Sequence, residues 1–304
     1  MNYYIAYELY VCSDVEIPEL SPWLNGSEEE ADVLICEADI QKDQKEAISQ
    51  VGPFLYVDTN NVFLEVPDIA QFWVESGRRI AYQMSEGSSE EDLRAFLLGS
   101  CIGALLMQRG LFLLHGSSIQ IGEGCVVCVG HSTAGKSSLA AAFMQDGYSI
   151  VSDDVCAISA EGEVIPGIPR IKINQDIAQS LKINTDTLRT VRANCDGKFS
   201  LPLDKQFSSK RLPLLAIYEM LPEVGEVTIY NDLNTFECFS VLQKHLYRPR
   251  YSKAMGKAQF NLQHCGQIAA STRVSRIHRP RFQLTVKELP TLILQNLHQL
   301  NEAS

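Results

Sequence analysis

The sequence predicts an α/β fold with a smaller β-rich domain ahead of it, on three observations. A short apolar run, Cys125 to Val129, enters a glycine- and hydroxyl-rich turn and then a strong helix former, Ser138 to Met144. Strand-like and helix-like patterns alternate from Leu111 onward. Ahead of that point the chain reads mostly as short strands, and its charge is different. Residues 1–100 hold 20 Asp/Glu against 5 Lys/Arg, whereas the other 204 hold 17 against 21. The expected division is therefore an N-terminal α+β domain over 1–110 and a second domain with C-terminal helices over 111–304.

In the first region, Ala31 to Cys36 and Pro53 to Asp58 are strand-like, Asn60-Asn61 marks a turn, and Val62 to Val66 is the returning strand of a hairpin. Phe72 to Ile80 adds another pair. Ser88 or Ser89 caps a helix, and Glu90, Glu91 and Asp92 suit the positive end of its dipole. That helix runs to about Gln108 and stops before Gly110. Its apolar stretch, Ala95 to Met107, is too short to span a bilayer. The chain opens without a basic leader, so no secretory signal is expected.

In the second region, Leu111 to His115 is a short strand, Ser117 to Ile121 alternates, and Gly122-Glu-Gly124 turns the chain into the apolar run. That run suits a buried parallel strand. Tyr148 to Ile158 is the next strand, Glu161-Gly-Glu163 a turn, and Pro166 to Ile173 a rigid loop entering a strand. A short helix over Asp176 to Leu181 precedes a polar, loop-like stretch, 184–210, with a turn at Asp196-Gly197. Strands over Leu214 to Leu221 and Glu226 to Tyr230 follow. Helices are expected over 234–247 and 257–270, with an amphipathic helix from Val286 to Asn301.

The turn after the apolar run carries the chemistry. Gly130, His131, Ser132, Thr133, Ala134, Gly135, Lys136 and Ser137 fit G-x-x-x-x-G-K-[ST] at every fixed position, and Ser138 continues it. Successive amides in such a loop cradle a polyphosphate, the lysine reaches the outer phosphates, and the following hydroxyl holds Mg²⁺. The helix N-terminus behind the loop favours the same anion. A nucleoside triphosphate, ATP or another, is the expected ligand.

Composition narrows the partners. The chain has 304 residues, 45% apolar, and a net charge of −11, a poor general nucleic-acid binder. Its basic residues gather late, at Lys244 to Lys257 and Arg273 to Arg281, where a nucleotide or an acidic peptide can be received. Nine scattered cysteines, an odd number without a framework, suggest reduced thiols in a cytoplasm. Cys125 and Cys128 form a C-x-x-C inside a strand, where positions i and i+3 face opposite ways, so no metal or redox role is expected of them.

Two acids, Asp153-Asp154, lie on the next strand-like segment after the loop, and His115 lies upstream on an adjacent strand. This arrangement resembles the HPr kinase/phosphorylase family of bacterial protein-serine kinases, whose core is similar to phosphoenolpyruvate carboxykinase. The residues that carry the resemblance are His115-Gly116, Gly130 to Ser138 and Ile150 to Val155. A subgroup is closer still: the kinases of peptide-tailoring clusters, such as those acting on lasso-peptide precursors. Its motifs read here as Phe96-Leu-Leu-Gly-Ser100, Gln108-Arg-Gly110, Leu114-His-Gly-Ser117, Pro166-Gly-Ile-Pro-Arg170 and Tyr247-Arg-Pro249.

The resemblance implies a magnesium-dependent serine kinase, acting on a peptide or protein and plausibly on a peptide natural-product precursor. It implies Lys136 on the outer phosphates, Ser137 and Asp154 at the metal, Asp153 as the base that takes the serine proton, and His115 beside them. Arg170, Lys172, Arg248 and Arg250 are candidate phosphate or substrate contacts. Family precedent is for homo-oligomers; no membrane or nucleic-acid partner is implied. Two features depart from the family. Thr133 stands where HPr kinases usually have glycine, and the Gly-Leu-Gly signature associated with phosphorolysis is absent. Phosphorolysis and HPr itself as acceptor are not carried over. A small-molecule kinase of the same fold, or a nucleotide-binding sensor, are the alternatives. The acid pair and His115 weigh against the sensor, because binding alone needs no base.

Overall fold

The computed structural model describes residues 1–41, 45–193, 197–223, 225–231, 233–280 and 286–302. The expected turn residue Asp196 and the last cluster arginine, Arg281, lie outside them. Among these residues the chain forms a mixed α/β structure with three sheets.

Nine strands make the first sheet: β1 (Asn2–Ala6), β2 (Leu9–Ser13), β3 (Ser21–Pro22), β4 (Val33–Glu37), β5 (Ser49–Gly52), β6 (Leu55–Val57), β7 (Asn61–Val66), β8 (Ala70–Glu75) and β9 (Arg79–Met84). Their order is β3-β1-β2-β4-β9-β8-β7-β6-β5. The hairpins around Asn60 and Gly77 were legible; β1, β2, β3 and β5 were not. A helix, Glu90–Phe96, follows, and the Ser89 side chain caps it by accepting from Asp92 N. The expected single helix is interrupted by a π turn, Leu97–Cys101, before resuming over Ile102–Gln108. Gly103 sits under Tyr247: a Cβ there would lie 2.4 Å from the ring. The core beneath this sheet takes in Leu98, Ile102 and Leu105 together with Leu113, Val155, Tyr247 and Tyr251.

The second sheet holds the site. Its strands are β10 (Phe112–Ile121), β11 (Gly124–Val129), β12 (Ile150–Ile158), β13 (Glu163–Ile165), β17 (Leu212–Glu223), β18 (Thr228–Tyr230) and β19 (Arg273–Pro280). The two short segments expected over 111–121 are one continuous strand, antiparallel to both β11 and β12. β11 is parallel only to β17, and β17 is parallel in turn to β19. Because β11 is covered on both faces, all six of its residues are buried. Cys128 joins one core with Leu139 and Phe143, while Cys125 joins another with Phe112 and Leu114. The Cys156 thiol in that second core is pushed up to about 12 by burial.

A third sheet, in the order β14-β16-β15, corrects the reading of 184–210 as loop. It comprises β14 (Arg170–Asn174), β15 (Arg189–Thr190) and β16 (Lys198–Pro202). Ser200 and Leu201 are buried when β16 pairs with β14, a long-range pairing that local polarity hides. β19 was likewise read only as a basic cluster. The helix expected over 234–247 ends at Lys244, and a separate short helix, Pro249–Ala254, precedes Ala258–Ser271. Proline at its first position starts that short helix without costing a hydrogen bond. The last helix is Leu289–Glu302.

Candidate functional site

The loop between β11 and the helix Lys136–Gln145 is held open by two residues with left-handed backbone. Gly135, at φ +97°, caps the helix, and Thr133 takes φ +68°. That value explains why a glycine would suit position 133, and it makes threonine there a strained choice. Behind the loop, Leu139, Ala140 and Phe143 are fully buried, which anchors the helix and so aims its first amides at the loop. Burying side chains such as Leu139 and Phe143 contributes about 1.5–3 kcal/mol each.

Lys136 is nearly buried, and its Nζ donates to Gly130 O at 2.8 Å and His131 O at 3.0 Å. Burial lowers the ammonium pKa, and the charges of Asp153 and Asp154 oppose that shift. On the next residue, Ser137 Oγ donates to Asp153 Oδ1 at 2.8 Å. Asp153 accepts two further hydrogen bonds: Ser117 Oγ donates to Oδ1 at 2.6 Å and Lys172 N to Oδ2 at 2.9 Å.

Neighbouring residues of a regular strand face opposite ways. β12 escapes that rule at Asp154, whose φ is +79°. Both carboxylates therefore meet the same residue, for Lys172 Nζ donates to Asp154 Oδ2 at 2.7 Å while Lys172 N serves Asp153. His115 completes the group: its Nδ1 lies 3.0 Å from Asp154 O and 3.3 Å from Asp154 Oδ1. Burial pushes the Asp154 carboxyl up. The Lys172 charge, with hydrogen bonds from His115 and Lys172, outweighs this and holds it well below the usual carboxylate range.

A cavity of about 650 Å³ opens over these groups. Its lining includes Ser132, Thr133, Gly135 and Lys136 to Leu139 from the loop and helix, His115, Asp154 and Lys172 from the strands, and Asn174, Ile177, Val286 and Leu289. Arg279 also lines it, a residue the sequence offered only as part of a basic cluster. Its guanidinium donates to Ala134 O at 2.8 Å and Thr133 O at 3.3 Å, bracing the loop from behind. No local signal marks Arg279; only the pairing of β19 with β17 brings it there.

The structure brings His115, Ser137, Asp153, Asp154 and Lys172 together around Lys136. It places three candidates elsewhere. Arg170 is buried, with Nη1 3.7 Å from Glu19 Oε1, Arg248 stacks on Tyr247 and Tyr251, and Arg250 is exposed on the helix Pro249–Ala254. None of the three lines the cavity. His131 is exposed at the loop tip and meets the buried His245 ring edge-on at 5.5 Å. His245 is bonded at 2.9 Å to Glu219, a buried carboxylate within β17 that also receives Lys244 and Arg276.

The donor set suits a magnesium ion. Ser137 Oγ and the Asp153 carboxylate are hard oxygens, and Mg²⁺ takes one or two such protein groups with phosphate and water completing the shell. Among the described residues no cluster of three or more His, Cys, Asp or Glu forms an all-protein metal cage. No helix among them is long and apolar enough to cross a membrane.

No family model matches the chain, and no curated protein matches it. Among solved structures it is similar to the HPr(Ser) kinase/phosphatase from Coxiella burnetii, at 12% identity over 63% of this chain and 99% of that one, with a TM-score of 0.30. An overlap that shallow carries no argument about chemistry, which rests on the residues themselves.

Proposed function

We propose that the chain is an ATP-dependent phosphotransferase that phosphorylates a serine hydroxyl of a peptide or protein, such as the precursor of a peptide natural product. The observation that carries this reading is the pair of carboxylates on β12. One is bonded to Ser137 of the phosphate loop, and the other faces the cavity beside His115. A protein that merely bound a nucleotide would need the first and not the second.

The loop amides and Lys136 hold the outer phosphates, with Arg279 keeping the loop's carbonyls turned away from them. Ser137 and Asp153 would hold Mg²⁺, which supplies charge neutralisation on the phosphates when bound. Asp154 stands on the acceptor side. The serine oxygen forms a bond to the γ-phosphorus, the bond from that phosphorus to the bridging oxygen breaks, ADP leaves, and the hydroxyl proton passes to Asp154. Lys172 and His115 orient that carboxylate. These roles are the reverse of those the family resemblance implied for the two aspartates, and the bond of Asp153 to Ser137 favours the exchange. Phosphoryl transfer asks mainly for alignment and charge stabilisation, which this arrangement offers.

Incubation with γ-labelled ATP, Mg²⁺ and a panel of serine peptides tests the reading. Label on a peptide hydroxyl, lost in Asp154→Asn, is the expected result. Tight nucleotide binding with no label on any acceptor would leave a sensor instead.

A further inference from the structure

The chain carries no Asp or Glu between Cys238 and Lys287, although its net charge is −11. Part of that stretch leads straight out of the site. Residues 245–247 run antiparallel to β10, with His115 N donating to His245 O and Tyr247 N to Leu113 O, both at 2.9 Å. The Tyr247 ring lies 6.1 Å from that of His115. The next residue, Arg248, takes the left-handed conformation, φ +42°, which turns the chain outward. Although the residue as a whole is exposed, its guanidinium is held over two buried rings, 5.5 Å from Tyr247 and 5.4 Å from Tyr251, and its Nε donates to Tyr247 Oη at 3.2 Å.

The short helix Pro249–Ala254 continues from there. Its inner side is fixed: Tyr251 and nearby Met255 are buried in the core beneath the N-terminal sheet. Arg250 and Lys253, three apart and so on one face, are exposed, and Lys257 follows. Among the described residues none of Arg248, Arg250, Lys253 and Lys257 has a salt-bridge partner, whereas Lys244, Arg276 and Arg94 are each paired with glutamates. Unpaired cations on a rigid, anchored ridge, in a chain rich in carboxylates, are a complement to a negative partner.

We infer that the ridge Arg248, Arg250 and Lys253 is the docking surface for an acidic segment of the acceptor polypeptide, adjoining the serine that enters beside His115 and Asp154. The inference rests on the reading of the chain as a peptide kinase. It adds a specificity: acidic residues flanking the acceptor serine select the substrate, by steering and by charge-assisted hydrogen bonds to the two arginines.

Three synthetic peptides of one length and composition apart from charge decide it, with Glu, Gln or Lys flanking a single serine. In the native protein, kcat/KM for the Glu peptide is expected to exceed that for the Gln peptide about tenfold at low salt and to fall towards it as ionic strength rises. In Arg250→Glu/Lys253→Glu the ratio drops to about one or turns in favour of the Lys peptide. Fluorescence anisotropy with a labelled Glu peptide bearing alanine in place of serine reads docking without chemistry. Docking that the double variant abolishes, in the absence of any phosphate transfer, would sink the kinase reading and leave the ridge. Transfer to all three peptides at equal rates, or a ratio untouched by the charge reversal, overturns the ridge and leaves the kinase. Binding of phosphatidylserine vesicles or single-stranded DNA in place of the Glu peptide overturns it as well.

Discussion

Ser137 Oγ lies 2.8 Å from Asp153 Oδ1, a contact that joins the first turn of the helix Lys136–Gln145 to the middle of the antiparallel strand β12. It links a residue found by motif to one found by proximity. The same carboxylate also ties down Ser117 on β10 and Lys172 on β14, so three elements are registered on one side chain.

On the kinase reading, loss of Lys136 or of Asp153 is expected to be severe. Lys136→Ala and Asp153→Asn should each lower kcat by about 10²–10³, the usual cost of a preorganised charge-stabilising group. Circular dichroism should stay native in both, and steady-state kinetics checks the rate. Near-wild-type turnover in both variants would remove the loop from the mechanism.

Asp154 and Lys172 should separate in their pH behaviour. Asp154→Asn is expected to cost about 10²–10⁴ in rate as the proton acceptor is lost. In Lys172→Met the carboxylate survives but loses the charge and hydrogen bond that hold its pKa down. Its protonated form then persists to higher pH. On the kinase reading, the acid limb of the kcat/KM profile should therefore move upward in Lys172→Met relative to the native protein. An unmoved limb would show that Asp154 is not the titrating base.

Thr133 is a local misfit whose relief can be measured. Left-handed backbone costs a non-glycine residue about 1–2 kcal/mol, and glycine returns about 0.5–1 kcal/mol of that as chain entropy. Thr133→Gly is expected to stabilise the protein by about 0.5–1 kcal/mol in urea unfolding, with nucleotide affinity retained. A loss of stability would mean that the threonine hydroxyl holds the loop in a way its geometry does not reveal.

The Glu219 centre sets an acid limit on stability. Burial raises its pKa, but hydrogen bonds from His245, Lys244 and Arg276 bring it down to about 2, from an ordinary 4.5. A depressed carboxylate contributes stability that is complete above the unfolded value and disappears as pH falls through the folded one. The melting temperature of Glu219→Gln should lie below that of the native protein at pH 7, and the gap should close between pH 4.5 and 2. A gap that is constant across that range would show that the carboxylate's charge contributes nothing.

The site was half legible. The loop 130–137 follows from glycine spacing and a terminal Lys-Ser, because amide-lined loops need those residues wherever they occur. The acid pair was visible as residues, but not as a pair sharing one side, since strand alternation forbids that unless a residue such as Asp154 leaves the β region. The contact of Arg279 with the loop and the pairing of the third sheet were not legible, for another reason. Each depends on a strand whose partner lies far away in sequence, β19 against β17 and β16 against β14. Arg170 and Arg248 looked alike as free cations, yet one is buried against Glu19 and the other stacks on tyrosines at the surface.

By itself the sequence determined the strand, loop and helix around the glycine-rich turn at 130–137, a helix capped by Ser88 or Ser89, and the uneven charge of the chain. These are consequences of residues within a few positions of one another, where backbone sterics and capping act. The tertiary structure alone decided that Asp153 meets Ser137, that Asp154 turns beside it to Lys172 and His115, and that Arg279 braces the loop. Such contacts need strands brought together across tens of residues, and long-range burial, not local preference, selects among those pairings.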